Sequence, residues 1–140
     1  MYRKLSCLSL AVAICALALA CKRDADVGAV LTELDSFTKE LVGKVESNPN
    51  PSAGADEAQK YFDSRKEEMT KKLASIKDVR EAQVSAETKQ KMTESFTNNV
   101  TSVAKLQLKY MNQSMRDPTL RPKLAKLSQD YNALLQSIGQ

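Results

Sequence analysis

The chain has no histidine and no tryptophan, and none of its three cysteines lies beyond Cys21. Each absence removes a class of chemistry. Without imidazole, Ser–His–Asp and Cys–His nucleophile systems are excluded, because each needs such a base beside the nucleophile. Zinc centres built on imidazole or thiolate go with them, as does c-type haem attachment through Cys-x-x-Cys-His. Di-iron bundles that use Glu-x-x-His lack their nitrogen ligand. No disulfide can form within residues 22–140, so that part of the chain must hold its fold by packing alone.

Glycine and proline are scarce, at four each, and runs of β-branched residues are missing. Ala, Lys, Glu, Gln and Leu dominate beyond Cys21, and these are helix formers. Charge is absent from one long stretch only, Leu5 to Ala20, which follows the positive start Met1-Tyr2-Arg3-Lys4. That stretch is mostly apolar and shorter than the roughly 20 residues of a comfortable membrane span. A positive start, a short apolar run and the small-residue end Ala18-Leu19-Ala20 describe a secretory signal peptide.

Cys21 sits where the apolar run meets Lys22, Arg23 and Asp24. The segment Ala18-Leu19-Ala20-Cys21 resembles the lipobox of bacterial lipoproteins. The resemblance implies cleavage between Ala20 and Cys21, a diacylglycerol thioether on Cys21 and N-acylation of its new amino group. Two or more acyl chains hold a protein stably where one holds it marginally, at about 0.8 kcal/mol per buried CH₂. An ordinary cleavage site and an uncleaved anchor are the competing readings of the same run. In enterobacterial-type envelopes an Asp after the lipidated cysteine favours the inner membrane. Lys22 at that position resembles cargo of the outer membrane, facing the periplasm.

On this reading residues 1–20 are the signal peptide, 21–25 a short lipidated tether and 26–140 one helical domain. Loss of Arg3 and Lys4 with the signal takes the net charge from +4 to +2. So balanced a surface does not call for nucleic acid. The tether from Lys22 to Ala25 reaches roughly 14 Å when extended, which keeps the domain close to the bilayer.

Apolar spacing then divides the domain. Val27, Val30, Leu31, Leu34, Phe37, Leu41 and Val45 recur at three- and four-residue steps and predict a helix over Asp26–Glu46, capped by Asp24 or Asp26. "SNPNPSAG", residues 47–54, reads as the one real linker, because Pro49 and Pro51 cannot continue a helix. A second helix over Asp56–Val79 carries Ala58, Phe62, Met69, Leu73, Ile76 and Val79, with Arg65 interrupting the stripe. Ser85 caps a third, Ala86–Met115, and Glu87 in its first turn suits the dipole. Its stripe is Met92, Phe96, Val100, Val103, Leu106 and Tyr110. A second stripe, Ala104, Leu108, Met111 and Met115, predicts a central helix touching two neighbours. After a tight turn at 117–121, Leu124, Leu127, Tyr131, Leu134 and Ile138 give a last helix from Pro122 to Ser137, with Leu120 on the same seam. The expected fold is all-α, a small antiparallel bundle of about four helices. The alternative is an extended helical hairpin that dimerises.

Few constellations could carry chemistry. Ser36-Phe37-Thr38-Lys39 and Ser102-Val103-Ala104-Lys105 match Ser-x-x-Lys, but no Ser-Asp-Asn or Lys-Thr-Gly accompanies them, so no catalytic residue is expected. Glu67 and Glu68 stand four residues before Lys71 and Lys72 and predict surface ion pairs rather than a metal site. Neither a metal nor a cofactor is expected beyond the covalent lipid on Cys21. The sequons at Asn99 and Asn112 read as coincidental in a bacterial exported chain. Arg116, Arg121, Lys123 and Lys126 gather near the third-to-fourth helix corner, as a candidate contact for a partner or for lipid headgroups. Met92, Met111 and Met115 read as core filling, with an adaptable binding groove as the alternative.

The function expected is therefore that of a non-enzymatic, membrane-anchored envelope lipoprotein with a helical binding or assembly domain. Pilotin lipoproteins, which escort secretion pores to the outer membrane, are comparable in size and anchor only. A protein partner in the envelope is expected. A structural lipoprotein that forms homo-oligomers and a surface-exposed interaction factor are the alternatives.

Overall fold

The computed structural model describes the backbone of residues 6–81 and 84–137 and the side chains of residues 23–77 and 84–137. The lipobox-like segment read in the sequence, Ala18 to Cys21, lies outside the described side chains, as do Val79 and Ile138. Five helices are present among the described residues: α1 (Ser6–Glu46), α2 (Pro51–Glu81), α3 (Ala86–Lys109), the single turn α4 (Met111–Ser114) and α5 (Leu120–Gln136). The chain is all-α, a helical bundle, as its composition predicts.

α1 stops at Glu46 where expected. It continues upstream of Asp26, and Asp24, expected to cap it, lies within it. The Asp24 carboxylate instead accepts a hydrogen bond from the Ser85 amide at 3.1 Å, across to the start of α3. That amide holds its carboxyl below the usual range. The 47–54 linker is shorter than predicted, because Pro51 opens α2. Proline suits a first helical position, where its missing N–H has no intrahelical partner to lose. Asn50 Oδ1 caps the helix by accepting from the Ser52 and Ala53 amides at 2.9 and 3.3 Å. Asn48 Oδ1 accepts from the Asn50 amide at 2.9 Å and tightens the turn before it.

Gly54 makes this corner feasible. A Cβ there would lie 2.8 Å from the Lys44 carbonyl oxygen, 2.9 Å from Asn48 Cβ and 3.0 Å from Val45 Cα. α2 therefore crosses the end of α1 at a distance only glycine allows.

α1 packs against α2 and α3, and α5 against the same two, so the ring runs α1–α2–α5–α3. Cross-helix pairs give the directions. Glu33–Lys72 and Glu40–Tyr61 run in opposite order and make α1 and α2 antiparallel. Asp24–Ser85, Asp35–Asn99 and Glu46–Lys109 rise together, so α1 and α3 are parallel. Asp56–Lys123 and Gln59–Asp130 likewise make α2 and α5 parallel. The bundle is thus two antiparallel hairpins laid side by side.

Its centre holds Val27, Leu34, Leu41, Phe62, Leu73, Leu127 and Tyr131, none with accessible surface. Burying a Leu or Phe side chain is worth roughly 1.5–3 kcal/mol, so these stripes carry most of the stability. Phe37 stacks on Tyr61 at 5.5 Å and on Tyr131 at 6.2 Å between centroids. Thr38 Oγ1 donates to the Leu34 carbonyl at 2.8 Å, so its one proton is committed. The Tyr131 hydroxyl is therefore the donor in the 2.5 Å bond between the two side chains.

The third helix departs from its predicted length. It ends at Lys109, and Tyr110, at φ −102° and ψ 16°, leaves the helical region before α4 begins. Tyr110 stays buried on the stripe of Val103 and Leu106. The second stripe expected on this helix is not a packing face. Leu108, Met111 and Met115 are 73, 59 and 75% exposed, because α1 and α5 already occupy the two sides that α3 buries and, among the described residues, no further element covers the third. α5 starts at Leu120 rather than Pro122. Pro122 is tolerated there because first-turn amides have no intrahelical acceptor.

Candidate groove at the α3–α5 corner

Where α3 ends and α5 begins, the chain turns through Asp117 and Pro118. The Asp117 carboxylate accepts from the Thr119 amide at 2.9 Å and from the Thr119 hydroxyl at 2.6 Å. These bonds hold its carboxyl below the usual range and fix the corner. Backbone bonds from the Tyr110 amide to Leu106 and from the Ser114 amide to Tyr110 carry the helical turn across this point, and Met111 and Met115 are exposed at helical spacing from Leu108.

The result is an open groove of about 480 Å³. Leu108, Met111 and Met115 form one wall, Arg121 lies on the other, and Leu124 reaches it from the core. Gln107 and Ser114 add polar atoms to its lining. Of the three methionines singled out in the sequence, Met92 is buried in the core, while Met111 and Met115 line this groove. Core filling therefore holds for Met92 and fails for the other two.

The four basic residues of the corner divide into two kinds. Lys123 Nζ donates to Asp56 at 2.6 Å and to the Ser52 hydroxyl at 2.9 Å, tying α5 to the start of α2. Lys126 pairs with Asp130 one turn on, at 2.5 Å. Lys126 is the main cause of the lowered Asp130 pKa, with Gln59 assisting. Arg116 and Arg121 are exposed and have no carboxylate within ion-pair distance among the described residues. The uncompensated charge on the groove wall is thus that of the Arg121 guanidinium, and Arg116, the residue after Met115, adds a second beyond the lining.

The corner lies far from the start of the domain. Glu46, which pairs with Lys109, is 22 residues along α1 from Asp24, or about 33 Å at 1.5 Å per residue.

Other sequence candidates resolve into structure. Ser36 and Ser102 donate their hydroxyls to the Thr32 and Asn98 carbonyls, at 2.9 and 2.8 Å, and neither is hydrogen-bonded to Lys39 or Lys105. Asn99 is buried and donates to Asp35 at 2.6 Å and to the Ser95 carbonyl at 2.9 Å, which removes it as a sugar acceptor in the folded chain. Asn112 is exposed. Glu67–Lys71 and Glu68–Lys72 form the ion pairs their spacing predicts, and Lys72 also reaches Glu33 on α1. Arg65, which interrupts the α2 stripe, turns to Glu68 at 2.9 Å. Among the described residues no cluster of three or more metal-ligating side chains occurs, and no helix is long and apolar enough to cross a membrane.

The sequence offered this groove only as the alternative reading of Met111 and Met115 and named Arg121 among the corner's basic residues; Leu108 was missed, because residues at helical spacing read first as core. Comparison of the chain with protein-family models, with curated proteins and with solved structures found no match.

Proposed function

We propose that the chain is a lipid-anchored accessory protein of the bacterial cell envelope, which holds a protein partner at the end of its bundle remote from the anchor. The observation that carries the binding role is the groove of exposed Leu108, Met111 and Met115. Contiguous exposed apolar residues rimmed by polar ones mark interaction sites, since leaving them in water is unfavourable. Methionine suits such a surface, because its unbranched side chain repacks around different shapes.

The anchor rests on the sequence: the lipobox-like Ala18 to Cys21, and Lys22 as the outer-membrane sorting signal. A non-catalytic role is supported by the chain's lack of histidine and by the serine hydroxyls committed to helix carbonyls. With Cys21 in the bilayer and the groove about 33 Å away along α1, the domain presents its binding end beyond the headgroups.

Two measurements on the membrane-extracted protein test this. Its intact mass should equal residues 21–140 plus lipid; a bare polypeptide mass removes the anchor. A photoreactive residue replacing Met111 in producing cells should crosslink one envelope protein, and Cys21→Ser should abolish that product. Crosslinking of the chain only to itself would replace this reading with that of a self-associating structural lipoprotein.

A further inference from the structure

We propose that the groove's occupant is an amphipathic helix of another protein, apolar on one face and flanked by carboxylates that meet Arg116 and Arg121. The inference rests on the binding role proposed above and specifies the chemistry of the partner.

Shape comes first. From Gln107 to Met115 the wall formed by α3 and α4 runs about 12 Å, and α5 supplies the opposite side. A groove between two helix surfaces accepts the i, i+3, i+4 and i+7 side chains of a third helix. Its volume, about 480 Å³, accommodates a few large apolar side chains.

Charge then selects the partner. Lys123 and Lys126 are already paired with Asp56 and Asp130. Asp117, the adjacent carboxylate, is turned to Thr119. Arg121 on the groove wall and Arg116 beside Met115 remain unpaired among the described residues. Guanidinium groups bind carboxylates through two parallel hydrogen bonds, which fixes orientation as well as sign.

The same charges argue against two other occupants. A second copy docking face to face would bring both sets of arginines into one interface, since a two-fold contact uses the same patch twice. The supporting bilayer lies at the opposite end of α1, well beyond the roughly 8 Å over which charge acts at physiological salt.

The test uses the membrane-extracted full chain in zwitterionic lipid nanodiscs, with Met111 replaced by photoreactive benzoylphenylalanine. The probes are two helical peptides of about 18 residues that share one Leu/Met face and carry either Glu or Lys flanks. Crosslinking at position 111 reports occupancy of the groove and is blind to peptide dissolved in the lipid. The Glu-flanked peptide should half-saturate at about tenfold lower concentration than its Lys-flanked twin at low salt, a gap that closes as salt screens it. Arg116→Glu with Arg121→Glu should reverse the order, with helicity by circular dichroism confirming that the variant is folded. Equal half-saturation of the two peptides, or indifference to the double reversal, would overturn the charge assignment and leave the groove as a binding site. Crosslinks to lipid or to a second copy would replace the occupant. No crosslink from position 111 to either peptide would remove the partner helix, and none in producing cells either would remove the groove reading itself.

Discussion

Alanine at Gly54 and alanine at Gly28 or Gly43 should move stability in opposite directions, although all three glycines lie in helices. At Gly28 and Gly43 an added Cβ meets nothing within 4 Å. Only the backbone term remains there, and Gly→Ala in a helix interior gains up to about 1 kcal/mol. At Gly54 the Cβ would stand 2.8 Å from a backbone oxygen and 3.0 Å from a Cα. Neither atom can swing aside as a side-chain tip would, so α1 and α2 must separate at their tightest point. Overpacking of this kind costs about 1–3 kcal/mol. The propensity gain offsets part of it and leaves Gly54→Ala less stable than the parent by up to about 2 kcal/mol. At roughly 4 °C per kcal/mol for a domain of this size, Tm should fall by up to about 8 °C for Gly54→Ala and rise by up to about 4 °C for each of the others. Thermal and urea unfolding followed by circular dichroism would measure both, with an unchanged urea slope showing that the comparison is one of stability alone. A Gly54→Ala protein as stable as Gly28→Ala would refute the close crossing on which the α1–α2 corner depends.

Further outcomes follow from the core and the caps. Thr38→Val should cost more than Tyr131→Phe, about 1–3 against about 1 kcal/mol by urea titration, because Val strands the buried Tyr131 hydroxyl whereas Phe leaves Thr38 bonded to Leu34; the reverse order would show that Tyr131 has another partner. Burial, aided by Glu40, pushes the Tyr61 phenol up to about 12, and burial with Asp35 raises Tyr131 above its usual range despite the Thr38 bond. Both keep protons that the unfolded chain releases near its ordinary value of about 10, so their contribution is complete below that pH and stability should fall as pH rises above it. A pH–stability profile should flatten in Tyr61→Phe and Tyr131→Phe, and an unchanged slope in both would reject the assignment. Ser85→Ala removes the acceptor of the Thr88 amide at the start of α3 and should cost about 1 kcal/mol, visible as a lowered urea midpoint. Met111→Ser with Met115→Ser should change stability by less than about 0.5 kcal/mol while abolishing crosslinks from position 108; a large loss of stability would mean that the two methionines are core after all.

Sequence by itself determined the class of the fold and nearly all of its core. Helix-forming composition left no alternative secondary structure, and three- and four-residue spacing assigned Val27, Leu34, Leu41, Phe62, Leu73, Leu127 and Tyr131 to buried faces, because each face reports only the period of its own helix. Ser85 as a cap and the end of α1 before Pro49 were legible for the same local reason. Tertiary structure decided what local spacing cannot carry. It set the ring order α1–α2–α5–α3 and the parallel pairing of α1 with α3, which depend on which stripes meet across space. It neutralised Lys123 and Lys126 through Asp56 and Asp130 and left Arg116 and Arg121 unpaired among the described residues, a distinction invisible in a linear run of basic residues. Above all it separated two stripes on α3 that look alike in sequence. Val103, Leu106 and Tyr110 are core between α1 and α5, whereas Leu108, Met111 and Met115 are left largely uncovered among the described residues and form one wall of the groove. An apolar side chain is buried only where another element arrives to cover it, and only the packing of the whole bundle says where that happens.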